Sequence, residues 1–351
     1  MKPLVLACMC LLLLQNTSVR IARSDEINPP RYSITELNTP GKMSLAWAVN
    51  SAGHLAGSFV LDNGEQHAFL YRDGKAIELK SLPGFPISEA VSLNDRDQAV
   101  GYVERDFVRP GPDRIPDREL RSVLWENGEL HDLTESARAG DRAVAINKIG
   151  QIAGYYPAYL YANGTVTRLA SPTLPPNDPL TSLEPAALND KGQLAGMWFP
   201  DFHHGRKAFC YDGGKVINLG ALPGGDFSEA KAINNRGQIV GVSHTTNTPD
   251  KKAESHAFLY DGGRMTDLGS RFAYGINDTG TIVGADFKGA CCWIGGKQYL
   301  LDSQIPAGSG WHLSEAFGIN ARGQIVGRGD YKGQTRAYLL TPIATTSLTQ
   351  R

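Results

Sequence analysis

Seven times along the chain an asparagine is followed three residues later by a turn residue and seven residues later by a glycine: Asn50, Asn94, Asn147, Asn189, Asn234, Asn277 and Asn320. The asparagines are spaced 44, 53, 42, 45, 43 and 43 residues apart. Asn at the first and Gly at the fourth position is the signature of a tight turn. That turn residue is Gly53, Gly150, Gly192, Gly237, Gly280 or Gly323, with Asp97 in the second copy, and Asp tolerates the left-handed conformation. The later glycine is present in all seven copies: Gly57, Gly101, Gly154, Gly196, Gly241, Gly284 and Gly327. A glycine at one fixed strand position implies a bulge or a close backbone approach.

The clearest copy is Ser228–Leu268. Residues 230–234 lead into the Asn-Asn-Arg-Gly turn, and Gln238–Gly241 leave it. After a polar loop comes a β-favouring run, His256–Tyr260, then Asp261-Gly262-Gly263, a two-residue hairpin signal, and the return strand Arg264–Leu268. The unit is therefore four antiparallel strands, a to d. Third strands recur at 67–71, 121–125, 157–161, 207–211, 256–260, 289–293 and 336–340. The seventh has no fourth strand after it, whereas Tyr32–Leu37, at the other end, reads as a fourth strand with no copy before it. Four strands per 42–53 residues is the period of a propeller blade. The expectation is all-β: a seven-bladed β-propeller over Arg31–Pro342, with the N-terminal strand completing the last blade so that the ring closes without an inner unpaired edge.

The phrases HAFLYDGG, INNRGQIVG and NLGALPGG resemble the HAF-repeat family of extracellular proteins, and the resemblance covers about nine-tenths of the chain. It implies export and a propeller-like fold, and it carries no catalytic residues to transfer. The name motif stands at 67–69 and 256–258, while Arg121, Pro157, Lys207, Gly289 and Arg336 occupy the His position elsewhere.

Residues 1–24 read as a signal peptide: Lys2 precedes an apolar run from Pro3 to Leu14, too short to span a bilayer. Residues 25–30 read as a linker and 343–351 as a polar tail. Removing the leader takes away Lys2, Arg20 and Arg23 and moves the formal charge from −1 to −4. A mildly acidic, secreted or periplasmic protein with no further membrane span is expected, and nucleic acid is excluded as a partner. A monomer is expected. The leader also takes Cys8 and Cys10; Cys210, Cys291 and Cys292 read as buried core residues, with a vicinal Cys291–Cys292 disulfide as the alternative.

Five residues before the turn asparagine, four copies carry an acid: Glu89, Glu184, Glu229 and Glu315. The same four copies begin strand c with a base: Arg121, Lys207, His256 and Arg336. Because strands a and c start at the same end of a unit, the preferred reading is an ion pair within each blade; the alternative is a ring of glutamates at one channel mouth, holding a cation or amine. A second candidate is the b–c loop of copy four, where Trp198, Phe199, Asp201, Phe202, His203, His204 and Arg206 offer a platform for a sugar or peptide, with Trp198 and Phe199 extending strand b and packing beneath the loop as an equal alternative. Trp311, His312 and Tyr331 add polar and aromatic groups at the same rim. The charged insertion at 102–120 reads as a solvated loop. There is no GxSxG, HExxH, CxxC, P-loop or EF-hand motif, no cofactor is evident and a metal is undecided. The expected function is a binding module for a glycan or protein partner in the envelope or outside the cell. A propeller enzyme of lyase or hydrolase type using rim Glu and His, and a purely structural envelope protein, are the alternatives.

Overall fold

A computed structural model of the chain describes residues 29–108, 116–170, 183–199, 205–245, 254–269 and 271–344. The leader and the end of the tail lie outside them.

Each copy folds as the four-stranded antiparallel unit that its turns dictate. In copy five the strands are Ser228–Ile233, Ile239–His244, Ser255–Asp261 and Arg264–Asp267. Asn234 builds the a–b turn: its carbonyl accepts from Gly237 N at 3.0 Å, and its side-chain oxygen accepts from the backbone N–H of Arg236 and Gln238. Gly237 is at φ +80°, and Asp97, where copy two lacks the glycine, is held at φ +59°. Between strands c and d, Gly262 and Gly263 both have positive φ, as a tight hairpin turn requires.

Among the described residues five sheets are four-stranded; in the sixth, copies one and two join through a single parallel pairing, Gln66 with Ile87, to make eight strands. The last sheet contains both ends of the chain. Tyr32–Glu36 pairs antiparallel with Gln334–Pro342, from Tyr32 opposite Pro342 to Glu36 opposite Tyr338. The expected exchange of strands is formed.

Strand a carries the feature that shapes the interior. In all seven copies the a–b register shifts by one residue at the same place, leaving Trp47, Val91, Val144, Ala186, Lys231, Tyr274 or Phe317 as the extra residue of a β-bulge. The strand-b glycine makes this possible. A Cβ on Gly241 would stand 2.0 Å from the Glu229 carbonyl oxygen, and a Cβ on any of the other six glycines would stand 1.8–2.1 Å from the equivalent carbonyl.

The copies are then joined in a circle. The Asn50 side-chain amide donates to the backbone carbonyl of Asn94, Asn94 to Asn147, Asn147 to Asn189, Asn189 to Asn234, Asn234 to Asn277, Asn277 to Asn320, and Asn320 back to Asn50, all at 2.9–3.1 Å. Apolar packing follows the same circle: seven buried clusters each combine residues of adjacent copies, the closing one joining Val326 and Leu339 to Leu55 and Phe69.

One expectation is corrected here, and of the two readings of the cysteines the buried-core one holds. The charged insertion is not a solvated loop as far as it is described: strands b and c of copy two run on to Val108 and start again at Pro116. Its charges pair across the strands, Arg105 with the facing Glu119 at 2.5 Å and Arg118 with the facing Asp106 at 3.6 Å and the diagonal Glu104 at 3.2 Å, as opposite charges on neighbouring cross-strand positions do. The vicinal disulfide is absent. Cys291 and Cys292 point to opposite faces of their strand and enter different clusters, and burial raises the Cys292 thiol to about 12 and the Cys210 thiol to about 11.

The Gly241→Ala variant is expected to lose about 1–3 kcal/mol of stability, because backbone, not a movable side chain, occupies the space of the new methyl group. Urea denaturation measures this; an unchanged midpoint would show that the close approach is dispensable.

Candidate functional site

The circle encloses a channel, and at the end where the a strands begin it widens into a cavity of about 600 Å³. Its floor and wall are the bulged residues. Trp47, Phe317 and Tyr274 pack together on one side, with centroids 4.3 Å apart for Trp47–Phe317 and 5.4 Å for Tyr274–Phe317. Val91, Val144 and Ala186 leave the opposite side unfilled. Above the bulges stand Glu89, Arg142, Glu184, Glu229 and Glu315, joined by Tyr102, Tyr155, Met197 and Arg328 from the strand-b position after the glycine.

All four glutamates therefore face the channel, and the expected ion pairs within the blades are not formed. The reason is register. Glu229 lies opposite Val242, and Val242 opposite Ala257, so His256 is one residue away and on the other face of the sheet. The same parity separates Glu89 from Arg121, Glu184 from Lys207 and Glu315 from Arg336. Arg121 reaches Asp132 at 2.8 Å and Glu119 at 2.7 Å, and His256 reaches Asp267 at 2.9 Å. Lys207 donates to the carbonyls of Gly205 and Asp226, and Arg336 to those of Thr39 and Gly41.

Inside the channel the glutamates have different partners. Glu89, 8% exposed, accepts from Trp47 Nε1 at 2.7 Å, Tyr102 Oη at 2.5 Å and Ser58 Oγ at 3.3 Å. Glu315 takes two donors of Arg328 at 2.5 Å and the Tyr274 hydroxyl at 3.1 Å. Glu229 is held by Lys231 at 2.7 Å. Among the described residues Glu184 has one hydrogen-bond partner, the Tyr156 hydroxyl, at 3.5 Å. Burial, its largest influence, pushes the Glu184 carboxyl above its usual range, and the Glu229 charge adds to the rise, while Arg206 and Tyr156 work against it. Tyr102 and Tyr274 are raised well above the usual phenol range by burial and by the carboxylates they donate to. At Arg142 burial opposes the charge, but Tyr102, Tyr155 and Glu104 outweigh it, and the guanidinium lies 4.5 Å over the Tyr102 ring.

In the aromatic loop of copy four, Trp198 follows the packed alternative, as the last residue of strand b. Trp198 is 4% exposed and packs in the cluster between copies three and four, so it cannot serve as a platform. Phe199 has Arg206 4.9 Å over its ring; Asp201, Phe202, His203 and His204 lie outside the described residues. Trp311 stacks on Tyr331 at 4.7 Å, and His312 reaches Asp302 at 2.6 Å; none of the three lines the channel. No group of three or more His, Cys, Asp or Glu is placed to hold a metal among the described residues. With His256 turned to Asp267, it is not beside Glu229 as an acid–base site would need.

Trp47, Tyr102, Arg142, Tyr155, Lys231, Tyr274, Phe317 and Arg328 were not singled out from the sequence. For all but Arg142, which stands five residues before its turn asparagine, the signal was available in the columns three residues before that asparagine and one after the strand-b glycine, where the residue type varies from copy to copy.

Neither a protein-family model nor a curated protein matches the sequence. Among solved structures, YCF48 bound to D1 peptide is similar at 10% identity and TM-score 0.55, over 92% of this chain and 99% of that one. The fold is a β-propeller. A puromycin-hydrolysing peptidase of Mycobacterium tuberculosis is similar at 11% identity and TM-score 0.51, over 92% of this chain but only 57% of the peptidase. No helix among the described residues is long and apolar enough to cross a membrane.

The Glu184→Gln variant is expected to be more stable than the parent at pH 7. An acid whose folded pKa is raised destabilises the fold only while it is ionised, so the advantage shrinks as pH falls through the carboxylate range and vanishes once the unfolded chain is protonated too. Melting temperatures of both proteins against pH check this; a difference that grows towards low pH would contradict it.

Proposed function

We propose that the chain is an exported, seven-bladed propeller that acts as a binding module, with the ligand entering the channel at the mouth where the a strands begin. Support for seven blades comes from the asparagine circle, whose seventh member returns to the first. Support for export comes from the leader pattern and the resemblance to the HAF-repeat family. One observation carries the binding reading: equivalent bulges turn seven side chains of six types into one cavity, three of them aromatic and three small, under a rim of charged groups. A purely structural ring has no use for that variation. A cavity of about 600 Å³ with apolar walls and a few polar groups is of the size that takes a small ligand or one end of a larger one. A peptide end meets that description, and the similar YCF48 structure holds a peptide.

The test is a thermal-shift screen of amino acids, short peptides and oligosaccharides against the parent and Ala186→Trp, which fills the open side. A ligand that raises the parent's melting temperature by a few degrees should leave the variant's unchanged. A ligand that stabilises both alike would place binding elsewhere.

A further inference from the structure

The charges around the cavity do not cancel uniformly. Glu315 and Arg328 neutralise each other, as do Glu229 and Lys231, and Glu89 accepts from three donors. Two groups remain, at the same strand position of neighbouring copies. Glu184 accepts one long bond from Tyr156. Arg142 lies over the Tyr102 ring with the Tyr155 hydroxyl in side-chain hydrogen-bonding reach, and among the described residues it comes no nearer to a carboxylate than 3.9 Å, at Glu104. A guanidinium has five N–H donors in a fork that fits a carboxylate, and a carboxylate has about four acceptor sites, so both have bonding capacity left.

Among the described residues the carboxylate that Arg142 approaches is Glu104 and no ion pair joins it to Glu184, so the two groups do not satisfy each other. Between and beneath them lies the unfilled side of the channel, floored by Val144 and Ala186. One positive and one negative group, flanking an apolar recess, match a ligand with one negative and one positive end and a small apolar body.

Resting on the channel-mouth reading, we infer that the site takes a small zwitterion, a free amino acid or short peptide, with its carboxylate on the Arg142 guanidinium and its ammonium on the Glu184 carboxylate. The side chain then lies against Val144 and Ala186. Recognition of both charges gives specificity, because a ligand lacking either end leaves a half-buried ionic group of the site without its partner.

Calorimetry with the common amino acids and simple dipeptides as probes tests this on the whole chain. At least one apolar member, such as leucine or leucyl-leucine, should bind. Its deaminated analogue (4-methylpentanoate for leucine) and its amide should each bind at least about tenfold more weakly. Arg142→Gln should abolish the penalty for blocking the carboxylate, and Glu184→Gln the penalty for removing the amine, both variants keeping the parent's circular dichroism. No binding by any probe, or equal binding of the singly charged analogues, overturns the zwitterion. If another ligand then binds the parent and is lost in Ala186→Trp, the channel reading stands without it; if the ligand is kept in Ala186→Trp, the channel reading fails.

Discussion

Everything at the centre of this molecule depends on a contact between backbone and backbone. In each copy a strand-b glycine lies against the carbonyl of the residue five before the turn asparagine, at a distance no Cβ could share. That contact accommodates the extra residue of strand a, and the bulge turns it into the channel. The glycine carries no chemistry, yet it fixes where the chemical groups stand. The carbonyl it touches belongs to the very residue, Glu89, Arg142, Glu184, Glu229 or Glu315, that forms the charged rim.

The asparagines perform the complementary task at the other mouth. Each satisfies its own turn with its side-chain oxygen and passes its amide to the next copy, so local turn chemistry and ring closure use a single residue. Burial explains why no other residue serves: all seven are nearly solvent-free, and an unpaired amide there costs on the order of 1–3 kcal/mol. With bulges and asparagines held constant, the intervening channel residues vary without disturbing the ring. The packing of Trp47, Tyr274 and Phe317 on one side and the small residues on the other is thus a choice of side chains on a fixed frame.

Much of this frame is legible in the sequence, because it is written in turn residues repeated seven times. The strand exchange between Tyr32–Glu36 and Gln334–Pro342 follows from a missing strand at one end and a spare one at the other. What could not be read is parity. The placing of Glu229 beside His256 assumed that strands starting at one end present the same face, but a one-residue offset in register sends His256 to Asp267 on the far side. Trp198 stayed open between two readings for a related reason: it is the last residue of strand b, directed into the core between copies rather than into the loop that follows. The charges of Arg105 and Arg118 suggested water, and only the pairing of two long strands shows that they serve each other.

Site-resolved cysteine labelling of the channel tests the account most directly, since Cys210, Cys291 and Cys292 are buried. A cysteine replacing Val144 or Ala186, both at the bulge and facing the cavity, should react readily with a small charged thiol reagent; one replacing Ala143 or Ala230, one residue before the bulge and fully buried, should not. Equal reaction at the two sets, or the reverse order, would mean that the bulges do not aim their residues into an open channel, and the proposed site would go with them.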